Sequence, residues 1–163
     1  MKEKFKFLEH TADVKFQAFG KDIEEMFENS ALALKKTIAP KIKVKNKIKK
    51  QFRVEGKDNE AFLYNFLEEF LFLLDAENFL LNKVKVRLVK SKKLEVEVWG
   101  DKASNYKFTN DVKAVTYNEM FVKNAQKSKI SGATKSKTAP SRRKQQDFVG
   151  KKNKWIAQVV LDV

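Results

Sequence analysis

The stretch Asp58-Asn59-Glu60-Ala61-Phe62-Leu63-Tyr64-Asn65-Phe66-Leu67-Glu68-Glu69-Phe70-Leu71-Phe72-Leu73-Leu74-Asp75 decides the fold. Asp58 or Asn59 can open a helix there, because a short polar side chain accepts from the free N–H groups of a first helical turn. Phe62, Leu63, Phe66, Leu67, Phe70, Leu71 and Leu74 then spread around much of the helix circumference. A helix with so little polar surface belongs at the centre of a domain, mostly buried.

Working toward the N-terminus, Asp22 can cap an earlier helix with Glu25 three positions on. Ile23, Met26, Phe27, Ala31, Leu34 and Ile38 form its apolar stripe until Pro40 stops it. Before it, Phe5 and Phe7, then Val14, Phe16 and Ala18, alternate with polar residues, giving two short strands around Glu9-His10-Thr11-Ala12-Asp13, the second ended by Gly20. Between the helices, Ile42 to Val54 alternates apolar and basic residues at several positions, which predicts a strand with lysines on one face.

Toward the C-terminus, Val84 to Leu88 and Leu94 to Trp99 alternate strictly and are joined by Ser91-Lys92-Lys93, a hairpin pattern. Two short strands are expected around Val112 to Tyr117 and Met120 to Val122, and a last one from Trp155 to Val163. The order predicts a single α+β domain over residues 1–163, two helices packed on a mainly antiparallel sheet. The length of 163 residues, 42% apolar content and 14 Phe support one domain with a substantial core.

The chain carries 35 Lys and Arg against 21 Asp and Glu, a formal net charge of +14. Two segments hold that excess. Lys35 to Lys57 carries a net +9 and Lys123 to Lys154 a net +10, so the rest of the chain is mildly acidic. The second segment is rich in Ser, Lys, Gln, Thr and Ala without a sustained apolar period, and reads as a basic, flexible loop insertion at about 123–154. Ser141-Arg142-Arg143-Lys144 within it suits contact with RNA phosphates, while a solvated lysine-rich loop is the plainer reading.

With no Cys and one His, the sequence excludes zinc fingers, thiol catalysis, iron–sulfur ligation and two-His metal centres, so any metal must be held by oxygen. The N-terminus has no signal-like apolar region and no run approaches a membrane span, so a soluble, cytoplasmic protein is expected. The five glycines form no phosphate-cradling loop. Asp13, beyond a strand end, and Asp162, in the terminal strand, could meet if the first and last strands are neighbours. With the terminal carboxylate of Val163 they would make a hard-cation site of the Ca²⁺ or Mg²⁺ type. A turn-capping Asp13 and a solvated Asp162 are the alternatives. His10 could serve as a base, or as a hydrogen-bonded structural residue of its turn.

Several stretches together resemble the archease family, activators of the RNA ligase that joins tRNA halves. They are Phe5-Lys6-Phe7-Leu8-Glu9-His10-Thr11-Ala12-Asp13-Val14, the helix entry from Gly20 to Ala33, and Phe70-Leu71-Phe72-Leu73-Leu74-Asp75-Ala76-Glu77. Val112-Lys113-Ala114-Val115-Thr116-Tyr117 and Val159-Val160-Leu161-Asp162-Val163 complete the set, in the family's order. The resemblance implies a strand-helix-strand-strand type domain and a divalent metal, Ca²⁺ in the family with Mg²⁺ or Mn²⁺ as substitutes, held by Asp13, Asp162 and Val163. It implies a protein that is not itself an enzyme but promotes ligase guanylylation and turnover, with Lys113 as a further functional candidate. The family motif commonly continues Tyr-His where this chain has Asn118, and its last two strands are usually joined by a much shorter connection. The longer basic loop suggests added contact with tRNA through Arg142, Arg143 and Lys144. Two other readings follow from the same residues: a chaperone or binding module for a tRNA-modifying enzyme, acting through that loop, and a small hydrolase using His10 with Asp13.

Overall fold

The computed structural model describes residues 3–90, 93–125 and 155–163. Its elements run β1 (Phe5–Leu8), β2 (Val14–Gly20), α1 (Ile23–Ile38), β3 (Ile48–Glu55), α2 (Asn59–Glu77), β4 (Phe79–Val89), β5 (Lys93–Lys102), β6 (Ala114–Asn124) and β7 (Trp155–Asp162), with a short 3-10 turn at Ala103–Asn105. One sheet has the order β1-β2-β7-β6 and the other β3-β5-β4, and every strand pair among the described residues is antiparallel. The architecture is the expected α+β arrangement of two helices on antiparallel sheet.

Both helices begin as their sequences predict. The Asp22 carboxylate accepts from Glu25 N–H at 2.8 Å, and the Glu25 carboxylate reaches back to accept from Lys21 N–H, also at 2.8 Å. Asp58 does the same for Ala61 N–H at 2.8 Å, and α2 ends where Asn78 turns left-handed with φ 54°. Asparagine tolerates that conformation better than most residues with a Cβ.

The helices join the two sheets. α1 packs against β2 and β7 of the first sheet and β4 of the second, and α2 packs against β6 of the first and β3 and β4 of the second. Phe66 lies at their meeting point, fully buried, with the Phe27 ring edge-on at 5.4 Å and the Phe70 ring edge-on at 5.0 Å. Phe52 of β3 meets Phe70 edge-on at 5.7 Å, which ties the second sheet to the same aromatic cluster. Phe72 is the one large apolar side chain of α2 that faces water.

The helices also close open sheet edges. Strand β4 lacks a neighbour on one side, and there Glu24 and Glu28 of α1 accept from Leu88 N–H at 2.8 Å and Val86 N–H at 2.9 Å. Strand β6 has the same problem, and Glu68 and Glu60 of α2 accept from Val115 N–H at 2.9 Å and Val122 N–H at 3.1 Å. Unpaired backbone donors at a sheet edge are costly when buried and hazardous when exposed, and carboxylates one or two helical turns apart satisfy them.

Three boundaries differ from expectation. The strand expected from Ile42 starts at Ile48, because Lys45 N–H donates to the Tyr106 hydroxyl and Lys47 N–H to the Gly100 carbonyl, outside the β3–β5 ladder. The two short strands expected near Val112 and Met120 are one strand, β6, whose register with β7 breaks between Thr116 and Phe121. Lys123 and Asn124, assigned to the basic loop, continue β6 and pair with Ile156 and Trp155. The remainder of that loop, with Arg142, Arg143 and Lys144, lies outside the described residues.

Two measurements check this packing. Phe66→Ala removes the ring between the helices and should cost about 3–5 kcal/mol in urea denaturation. Burial pushes the Glu28 carboxyl above the usual carboxylate range, with the Val86 N–H and Lys85 partly opposing it. A raised folded pKa makes ionisation unfavourable to folding, a cost absent in acid that grows as pH rises above the unfolded value and is complete above the folded one. Glu28→Gln keeps an acceptor for Val86 and should therefore be the more stable protein at neutral pH, losing that advantage below about pH 4.

Candidate functional site

The expectation that the first and last strands are neighbours is not met, since the order β1-β2-β7-β6 leaves β1 at the edge; it is β2, which Asp13 immediately precedes, that lies beside the last strand and brings Asp13 toward Asp162. The β2–β7 register pairs Val14 with Leu161, so Asp13 and Asp162 stand one step beyond the last pair, at the same end of the sheet. Strand alternation gives both the parity of Lys15 and Val160, on the face away from the helices. Neither carboxylate has a hydrogen-bonding or ion-pair partner among the described residues. Lys113 arrives at the same end because its N–H donates to the Asp162 carbonyl at 2.7 Å, next to the Ala114–Asp162 pair. Val163 follows, half-buried against the core.

The turn carrying Asp13 is held in an unusual shape. Asp13 N–H donates to the Thr11 carbonyl at 2.7 Å across Ala12, whose φ is 68°. A three-residue turn with positive φ at a residue bearing a Cβ is strained by about 1–3 kcal/mol, and such strain persists only where surrounding contacts fix it. Those contacts come from β6. Between Thr116 and Phe121 the strand leaves its register and turns left-handed at Glu119, with φ 55°. The Glu119 carboxylate meets His10 Nε2 at 3.1 Å and accepts from Lys15 Nζ at 2.9 Å, while its carbonyl accepts from Gln158 Nε2 at 2.8 Å. Lys15 first, then His10, holds the Glu119 carboxyl below its ordinary range.

His10 is therefore a hydrogen-bonded turn residue, its Nδ1 buried and without a partner. Among the described residues its hydrogen-bonded network with Glu119 and Lys15 brings in no Ser, Thr or Cys side chain. Glu119, Lys15 and Gln158 are the residues that sequence reasoning missed. Glu119 is 104 positions from Lys15 and 109 from His10, and no spacing rule links them. Next to the bulge, Tyr117 stacks on Tyr64 of α2 at 4.3 Å between centroids, and Asn118 donates its N–H to Thr116 Oγ1 at 3.3 Å.

The residues fit an oxygen-held divalent cation in part. Two hard, unpartnered carboxylates share one end of the sheet, as Ca²⁺ or Mg²⁺ requires. Among the described residues no three His, Cys, Asp or Glu side chains cluster closely enough to hold a metal, so a cation there would need main-chain, hydroxyl, amide or water oxygens besides the two carboxylates.

The archease protein family (MTH1598/TM1083) matches residues 5–163. The chain belongs to the archease family. Among proteins called archease, that of Sulfurisphaera tokodaii is 36% identical over 125 residues, covering 75% of this chain and 90% of its own length. The archease of Pyrococcus abyssi is 38% identical over 117 residues, covering 69% and 82%, and that of Methanosarcina barkeri is 29% identical over 167 residues, covering 99% and 97%. The solution structure of Methanobacterium thermoautotrophicum protein 1598 superposes with a TM-score of 0.69 at 26% identity, over 98% of this chain and 99% of that one. The crystal structure of an archease and possible chaperone from Thermotoga maritima shares the fold, with a TM-score of 0.55 at 15% identity over 96% and 94%. As in the expectation of a protein without membrane spans, no helix among the described residues is long and apolar enough to cross a membrane.

The Glu119 bridge yields a test. Because the folded pKa is lowered, its contribution is present above the ordinary glutamate range and is lost as pH falls through the folded value. Glu119→Ala should leave the fold intact, speed amide exchange in residues 117–120, and shift the His10 imidazole resonances. Acidification of the wild type should lower the protection factors of the same amides, once the slower intrinsic exchange in acid is allowed for.

Proposed function

We propose that this chain is a metal-dependent, non-catalytic activator of the RNA ligase that joins tRNA halves, promoting ligase guanylylation and turnover. The observation that carries the reading is the placement of Asp13 and Asp162 at one end of adjacent strands, without partners, beside Lys113 and Val163. Membership of the archease family supports the reading. Asp13 and Asp162 would hold a divalent cation, Ca²⁺ or in its place Mg²⁺ or Mn²⁺, with a main-chain oxygen at Val163 as a further ligand. Once bound, the cation would offset the two carboxylates and offer open positions to phosphate or carboxylate oxygens of the ligase complex. Lys113 adds a cation beside that position, suited to a phosphate approaching the end of the sheet. The His10–Glu119–Lys15 bridge positions the turn that presents Asp13. The protein would act in the cytoplasm, where tRNA halves and ligase meet.

A guanylylation time course of the ligase, with and without this protein and with and without chelator, tests the reading. Stimulation should disappear with chelator, and Asp13→Ala or Asp162→Ala should weaken it by at least about tenfold. Full stimulation by either variant would overturn the metal mechanism. A second reading is favoured by the net +10 between Lys123 and Lys154: a chaperone or binding module for a tRNA-modifying enzyme, working through Arg142, Arg143 and Lys144. Deleting residues 126–152 separates the two. The activator should keep most of its stimulation and lose only salt-sensitive RNA affinity, whereas the binding module should lose its function.

A further inference from the structure

We propose that the solvent face of β3, β5 and β4 is a docking surface for single-stranded RNA, with Trp99 as a base-stacking platform. This surface belongs to the other sheet from Asp13 and Asp162, so the inference does not rest on the metal end.

The strand pairing composes the surface row by row. Lys49 and Lys83 flank Trp99 from the two neighbouring strands, with their ammonium groups 5.4 and 4.9 Å from the ring centroid. In the next row Gln51 and Lys85 flank Glu97, and in the row after that Arg53 and Arg87 flank Glu95. The last two rows line a trough with about 750 Å³ of open volume. Trp99 stands two residues from Glu97 on the same face, about 7 Å along the strand, so the aromatic ring continues the trough.

Five cations on the outer strands face two carboxylates on the central one. Glu95 is shared by Arg53 and Arg87, and Glu97 is met by Lys49 at 3.2 Å. Lys83 and Lys85 have no carboxylate within ion-pair distance among the described residues. The unpaired surplus is positive and lies along the β4 side of the trough, which Glu24 also lines, and a polyanion running parallel to the strands would meet it there.

The aromatic ring selects among polyanions. A tryptophan bracketed by two lysines offers a base a stacking face, and the lysines that leave it stay within reach of the flanking phosphates. Sheet faces carrying aromatic side chains recognise single-stranded RNA in this manner in other folds. An acidic peptide would use the cations but has no need of the ring. A peptide adding as a strand along β4 is blocked, because Glu24 and Glu28 already occupy the outward N–H groups of Leu88 and Val86.

The test uses the full chain and a fluorescein-labelled oligouridylate of about a dozen nucleotides, followed by anisotropy over a salt series. The double variant Lys83→Ala, Lys85→Ala should bind more weakly and flatten the plot of log affinity against log salt by about 1.4. Trp99→Leu should weaken binding at least about fivefold at unchanged salt slope, and Trp99→Phe should restore most of it. Circular dichroism confirms that each variant is folded. Unchanged affinity in the folded lysine variant and in Trp99→Phe and Trp99→Leu would overturn the proposal. So would loss of all RNA binding on replacing Arg142, Arg143 and Lys144 by Ala. Equal binding of polyglutamate, indifferent to Trp99→Leu, would assign the face to an acidic protein and not to RNA.

Discussion

Strands β4 and β6 each end a sheet with outward N–H groups that no strand accepts, and the helices answer with carboxylates. Glu24 and Glu28 of α1 serve β4, and Glu60 and Glu68 of α2 serve β6. The rest of the structure depends on this closure. It lets two short sheets meet two helices along their edges without leaving backbone donors unsatisfied. It also fixes the rotation of each helix about its axis, because the glutamates that face an edge determine which residues face the core. In α2 the opposite result is a nearly continuous apolar surface, with Phe62, Phe66 and Phe70 turned into the cluster around Phe27.

The same closure has a cost at β6. Its register against β7 is interrupted between Thr116 and Phe121, and the chain between turns left-handed at Glu119. That bulge crosses over β7 to reach His10 and Lys15, and Val160, on the face away from the helices, is fully buried. Backbone strain thus gathers at Ala12 and Glu119, both next to the proposed functional end, where a turn has to be held in one shape. Elsewhere left-handed residues stop a helix at Asn78 and end a strand at Lys90.

Charge is distributed with a similar division. The formal +14 is not a property of the sheet end that bears Asp13 and Asp162, which presents carboxylates. Part of it lies on the outer strands of the second sheet, where most cations are matched by Glu95 and Glu97 and a few are not. The proposed oxygen-ligated site and the cationic trough lie on different sheets, so their fields need not cancel within the short range that salt permits.

Much of the fold was readable in advance, because its determinants are local. Asp22 and Asp58 announce helix starts through the donors of the next turn, Pro40 marks a stop, and alternation along Leu94 to Trp99 gives a strand with one wet face. Asp13 and Asp162 could be nominated because oxygen was the only ligand type available, and family motifs marked them. What the sequence could not yield is everything that depends on distance through space. The start of β3 was misplaced because Lys45 and Lys47 bond to Tyr106 and Gly100, some fifty to sixty residues away. Glu119 looked like any surface glutamate until tertiary pairing set it between His10 and Lys15. By itself the sequence determined two capped helices, their apolar faces and the oxygen character of any metal site. Only the tertiary structure decided which strands are neighbours, and so which of the many carboxylates stand together, because strand order is set by packing across the whole chain and has no local code.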